Sequence, residues 1–209
     1  MKEYNINMFN YEKHPIFASI TIGLLAMFYG IYFCKMLIQR KQGIKTHQIG
    51  TRKEKSIHTV ETLMSIATYL APIVQLTSLG LEWNYMPPVG RYIGAGIALL
   101  GDIIFLISVI TMKNSWRAGI PDGEKTKLVT NGIYKFSRNP AFLGFDLMYI
   151  GIALLYLNPV SIVFSLFPIV MLHLQIIQEE KYLITTFGEE YIKYKQKVFR
   201  YFGRKLNNK

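Results

Sequence analysis

The chain has 209 residues, of which 51% are hydrophobic, and 24 Lys and Arg against 13 Asp and Glu give a formal net charge of +11. That apolar share is high for a water-soluble domain and ordinary for a small bundle of membrane helices; the single cysteine excludes an internal disulfide and a cysteine-built metal site. The positive excess admits either nucleic acid or an anionic membrane surface as a partner, and its distribution decides between them.

Residues 1–15 mix Lys2, Glu3, Glu12 and Lys13, and the apolar run that follows is too long for a signal h-region and has no small-residue cleavage site. Five apolar segments follow, at about 16–38, 57–79, 92–112, 141–157 and 160–177. A helix needs roughly 20 residues to cross the hydrocarbon core. The first and third fit this well. Cys34 lies inside the first and is expected as a buried free thiol. The second starts with His58, Thr59 and Glu61, and Pro72 is expected to kink it. The third carries Asp102, expected to hydrogen-bond a neighbouring helix. Its small residues Gly94, Ala95, Gly96, Ala98 and Gly101 suit close helix packing, with a homodimer contact as a further use.

The fourth and fifth segments are short, and only Asn158-Pro159 separates them, so they read as a tight helical hairpin. Beyond Glu179, the residues Leu183, Ile184, Phe187, Tyr191, Tyr194 and Val198 recur at helical spacing. Gly188 interrupts them, which predicts two short amphipathic helices on the membrane surface or under the bundle. The fold class is thus an all-α integral membrane protein with about five transmembrane helices and an amphipathic helical tail. It divides into transmembrane helices at 1–112 and a core region at 113–209. There is no internal repeat.

Arg40, Lys41, Lys45, Arg52, Lys53 and Lys55 lie between segments one and two; Lys113, Arg117, Lys125, Lys127, Lys135 and Arg138 lie between three and four. A third basic group, from Lys181 to Lys209, follows segment five, whereas the connections at 80–90 and 158–159 hold no Lys or Arg. The positive-inside rule then places the N-terminus outside and the C-terminus in the cytoplasm. The net charge reads as topology plus attraction to anionic membrane lipids, with no need for nucleic acid.

Two stretches of the basic side could carry chemistry. Asn139-Pro140 has N-cap and first-turn character, which either simply starts a helix or also offers its free N–H groups to a carboxylate. Glu179 and Glu180 oppose the dipole of a helix ending there, so either the helix continues past them or they bind something cationic. Asp146, one turn into segment four, is expected to face the same site. Asp146 and His173 are ionisable groups at membrane depth, which usually work or are paired inward.

In order and spacing, Trp116-Arg117-x-Gly119, Leu128-Val-Thr-x-Gly132-x-Tyr134, Arg138-Asn-Pro-x-Phe142-x-Gly144, Glu179-Glu180 and Phe187-Gly-Glu-Glu-Tyr-x-x-Tyr194 resemble the isoprenylcysteine carboxyl methyltransferase family. Phospholipid N-methyltransferases are more distant relatives, and the resemblance covers roughly 116–202. It implies methyl transfer from S-adenosyl-L-methionine to a lipid or lipidated acceptor within the bilayer. It also implies cofactor contacts from Thr126, Lys127, Leu128, Val129, Tyr134, Asn139, Pro140, Ala141, Phe142, Glu179 and Glu180, with Glu180 matching the family's cofactor-holding glutamate. Asn139 stands where the family has histidine. Gln175 stands where the family has an arginine that handles the substrate; Arg117, Arg138 and His173 are the candidates to replace it. A carboxylate acceptor needs no base, whereas a lipid amine, the alternative acceptor, must first lose a proton. A non-catalytic scaffold or transporter is the alternative of another class, but the paired broken-helix repeats of a transporter are not seen, nor is a dinucleotide-binding glycine fingerprint.

Overall fold

The computed structural model describes residues 15–50, 54–120 and 127–205. Six α-helices make up most of it: α1 (Pro15–Lys41), α2 (Lys55–Gly80), α3 (Pro88–Met112), α4 (Pro140–Leu155), α5 (Pro159–Phe187) and α6 (Glu189–Lys197). No strand occurs among the described residues. α1, α2, α3 and α5 are long and apolar enough to cross a membrane, and α4 is a shorter apolar helix of 16 residues. At 1.5 Å per residue α4 reaches only about 24 Å, against about 30 Å of hydrocarbon. The chain is a multi-pass integral membrane protein of the expected class.

Glycine sets how closely the helices approach. On α3, a Cβ at Gly94 would lie 2.7 Å from the Gly151 carbonyl, and one at Gly101 would lie 2.7 Å from that of Gly144. α4 answers with Gly144 and Gly151 at the same crossings, and Ala98 faces Gly151. The small-residue stripe of α3 is therefore used within the chain, against α4. Gly96 faces away, with nothing near its Cβ position. Phe28 of α1 fills the adjoining space, stacking on Phe105 at 4.6 Å and meeting Phe145 edge-on at 4.6 Å.

Asn158 organises the turn between α4 and α5. Its side chain accepts from the Ser161 amide at 2.8 Å and donates to the Trp83 carbonyl at 2.9 Å, so the loop before α3 is held to the hairpin tip. Nearby, Arg91 lies over the rings of Phe17 and Tyr156 and donates to the Leu155 carbonyl.

Several expectations require correction. α5 does not end near 177 but continues through Glu179 and Glu180 to Phe187, so the first of the two expected tail helices is its last turns. Its 29 residues span about 43 Å, and its end therefore projects beyond the hydrocarbon. Gly188 then reverses the chain at φ +52 and α6 folds back under the bundle. Cys34 is exposed, on the outside of α1 rather than inside the core. The Asp102 carboxylate is buried, but neither oxygen finds a hydrogen-bond partner among the described residues.

Candidate active site

At the basic end of the bundle two loops are tied together. Residues 46–48 pair with Ala118: the Gln48 amide donates to the Ala118 carbonyl, and the Ala118 amide to that of Thr46. Gly119 permits this with φ +92, where a Cβ would meet the Ile49 amide nitrogen at 2.8 Å. Glu61, fully buried on α2, accepts from the Gly50 amide at 2.7 Å and the Ile120 amide at 3.2 Å. Gln39 of α1 completes the clasp by donating to the Trp116 carbonyl and accepting from Thr46. A buried carboxylate satisfied by backbone amides is a rigid anchor.

The second anchor lies at the start of α4. Asn139 begins the helix with Pro140 at its first position, but its side chain makes no cap bond. It donates instead to the Arg200 carbonyl at 3.2 Å and more distantly to Glu180. Glu180 is almost fully buried and receives two arginines: Arg138 at 2.9 Å and a two-pronged contact from Arg200 at 3.1 and 3.0 Å. The hydrogen bond to Glu180 raises the pKa of Arg200 above its ordinary value. The strap after α6 thus locks onto the α4–α5 hairpin, helped by the Arg138 amide donating to Phe199 and the Gly203 amide to Phe136. The Tyr194 hydroxyl of α6 donates to the Tyr134 carbonyl at 2.7 Å; burial pushes the pKa of both phenols up, so both stay protonated.

These anchors frame two cavities that share a wall. The larger, about 410 Å³, lies between α1, α2, α4 and α5. Its lining is overwhelmingly apolar, with Tyr69, Ile73, Phe145 and Leu172 among the contributors. The smaller, about 130 Å³, lies on the basic side under the 127–134 segment. Trp116, Arg117, Gly119, Ala141, Phe142 and Glu179 line both. An apolar chamber and a more mixed one therefore share a wall that carries a cation and a carboxylate.

The smaller cavity gathers Lys127, Leu128, Val129, Tyr134, Arg138, Asn139, Ala141, Phe142 and Glu179. Pro140 starts the helix on its wall, and Thr126 lies outside the described residues. Glu180 is not on this wall: one helical step turns it away from Glu179 and into the arginine pair. Gln175 is buried on the wall of the larger cavity and donates to Glu179 at 3.2 Å. His173 lines neither cavity; its Nδ1 meets the Tyr201 hydroxyl at 2.6 Å and the rings stack. Asp146 also lines neither cavity, contrary to expectation, and lies on the Tyr201 side of the hairpin.

Arg200 and the tying role of Glu61 were not anticipated. Arg200 sits in a basic tail where nothing separates it from solvated charges. Glu61 carried one signal, a carboxylate in the first turns of an apolar helix.

The chain matches the family model described as isoprenylcysteine carboxyl methyltransferase over residues 94–185. It is 38% identical over 136 residues to a protein-S-isoprenylcysteine O-methyltransferase of Saccharomyces cerevisiae, covering 64% of this chain and 55% of that protein. It is 31% identical over 144 residues to protein-S-isoprenylcysteine O-methyltransferase B of Arabidopsis thaliana, covering 68% of this chain and 71% of that protein. A third relative, from Dictyostelium discoideum, is 26% identical over 137 residues, which is 62% of this chain and 58% of that protein. The chain therefore spans between about half and three-quarters of the length of these relatives.

Proposed function

Because the chain belongs to the isoprenylcysteine carboxyl methyltransferase family, we propose that it transfers a methyl group from S-adenosyl-L-methionine to the carboxylate of a prenylated cysteine held in the bilayer. The observation that carries this reading is the shared wall of the two cavities. The larger suits an isoprenoid chain, which gains about 25 cal/mol per Å² of apolar surface removed from water. The smaller suits the cofactor. The Nε and Nη1 of Arg138 have no hydrogen-bond partner among the described residues, and they answer a carboxylate. Glu179 answers cationic groups, and Leu128, Val129, Tyr134 and Phe142 form an apolar slot for adenine. When bound, the cofactor supplies a sulfonium methyl that a carboxylate oxygen takes by direct displacement, with no proton to remove.

The protein's own work is then placement and exclusion of water. Arg117 is a cation on both walls, and its chain is fixed by Nη1 bonds to the carbonyls of Asn114 at 2.7 Å and Trp116 at 2.9 Å. It holds the acceptor carboxylate where the family's arginine has become Gln175. Gln175 orients Glu179. Trp116 and Phe142 close the junction to water. The basic end faces the cytoplasm, by the charge asymmetry of the loops, and the N-terminus is outside.

The test is calorimetric titration of the detergent-purified chain with S-adenosyl-L-methionine, then labelled methyl transfer to an N-acetylated S-prenylcysteine. Binding and a base-labile methyl ester are expected. Absence of cofactor binding overturns the reading, and base-stable label redirects it to an amine acceptor.

A further inference from the structure

A third cavity, about 260 Å³, lies on the basic face outside both chambers. Lys135, Lys193, Lys197 and Arg204 line it, with Glu190 as the one carboxylate: four cations against one, a local excess of +3. None of the four cations makes an ion pair among the described residues, although carboxylates are available on α5 and α6. Three elements converge to build it: the 3-10 turn Gly132–Lys135, the last turns of α6, and the strap whose Val198 pairs with Arg204. The Tyr194 hydroxyl ties α6 to the Tyr134 carbonyl, so Lys193 and Lys197 of α6 lie beside the turn that precedes α4. Close in sequence to the lining residues Lys135, Val198 and Arg204, three aromatic residues are exposed: Phe136, which caps the turn, at 49%, and Phe199 and Phe202 of the strap at 47% and 73%. Phe136 and Gly203 are tied by a backbone hydrogen bond, so turn and strap form one surface.

We propose that this cavity binds the phosphate of an anionic lipid headgroup, with the three phenylalanines seated in the interface beside it. Cations alone describe a solvated surface. Cations around a concavity, with exposed rings adjoining and at the end of a membrane bundle, describe a headgroup site. The lipid source is favoured over a free anion by those rings, which phosphate alone leaves unused. The site also has a route to the chemistry, though it does not depend on it. Tyr194 lines this cavity and the smaller chamber, and Lys135 follows Tyr134 directly. A bound headgroup therefore braces the back of the segment that forms the smaller chamber.

The test uses the full chain in a neutral detergent, with thermal shift read against short-chain phosphatidylglycerol, phosphatidylcholine of the same length, and inorganic phosphate. Phosphatidylglycerol is expected to stabilise at lower concentration than the other two. Replacing Lys193 and Lys197 together by Gln is expected to weaken it by about tenfold or more, since each cation near an anionic surface contributes on the order of fivefold. Replacing both by Arg is expected to preserve binding within about twofold, because charge is retained. Lys55→Gln with Lys181→Gln, two exposed cations elsewhere on the basic end, is expected to change nothing. If the Gln pair elutes as misfolded protein, Arg204→Gln alone serves in its place. Undiminished binding by the Gln variants overturns the proposal, as does equal loss in the Lys55 and Lys181 variant. Saturation by inorganic phosphate as tight as by the lipid overturns the lipid assignment.

Discussion

Glu179 and Glu180 are neighbours in sequence and face different surroundings. Along a helix one residue is a turn of about 100°, enough to put Glu179 on the cavity wall and Glu180 among Asn139, Arg138 and Arg200. The pair was legible in the sequence; the division of labour was not, because it depends on α5 continuing past 177 and on an arginine 20 residues away. Glu179→Gln is expected to weaken S-adenosyl-L-methionine about tenfold while leaving the melting temperature nearly unchanged, since an ionised acceptor bonds roughly twice as strongly as a neutral one. Glu180→Gln is expected to act in the opposite sense on the two readouts. It strands Arg138, whose side chain is 6% exposed, and breaking a buried pair costs about 3–5 kcal/mol. The lower end applies here because Arg200 is one-third exposed and can turn to water. Calorimetry beside denaturant unfolding separates the two. A melting temperature unchanged in Glu180→Gln contradicts its assignment as an anchor.

At the scale of elements, the α3–α4 crossing is the tightest seam in the bundle. Without a hydrophobic driving force between lipid-bathed helices, close backbone approach and dispersion have to hold them. The stripe of small residues on α3 was readable as a packing face. Its partner was not, since a helix pattern says which side is narrow and leaves open what fills the groove. Gly144 and Gly151 at matching intervals on α4 answer that. The substitutions Gly144→Ala and Gly151→Ala are each expected to destabilise by about 1–3 kcal/mol, the usual cost of overpacking, because a Cβ would strike Gly101 and Phe105 in the first case and Ala98 in the second. Gly96→Ala is expected to be neutral or to stabilise by up to about 1 kcal/mol, as open space on a helix leaves only the backbone gain. Thermal unfolding in detergent ranks the three. Equal gain in all three would mean that helix propensity, not the seam, governs the effect.

For the whole molecule, the larger cavity is where sequence reading reached its limit. Helix number, loop charge and the 127–142 stretch are local patterns and were legible. The chamber is assembled from four helices and two loops, and each contributes residues that alone look like ordinary lipid-facing or core positions. Phe33, Tyr69, Ile73 and Leu76 line it and are also between 46% and 59% exposed. They come from α1 and α2, so the chamber opens sideways between these helices, while the smaller chamber lies at the basic end. On the proposed function, acceptor and cofactor then have separate doors and meet at the shared wall, where Arg117 and Glu179 are the charged residues. Separate doors make a prediction that a single cleft does not. Ile73→Trp adds bulk at the lateral opening, 59% exposed, without touching the smaller chamber. It is expected to raise KM for a long prenyl acceptor about tenfold, with a smaller change for a short-chain one and an unaltered Kd for S-adenosyl-L-methionine. One lost or blocked apolar contact is worth about 1–3 kcal/mol, which spans that factor. If Ile73→Trp weakens cofactor binding as much as acceptor use, the two chambers share an entrance and the lateral door is refuted. Equal loss for long and short acceptors points instead to general damage of α2, which the melting temperature reports separately.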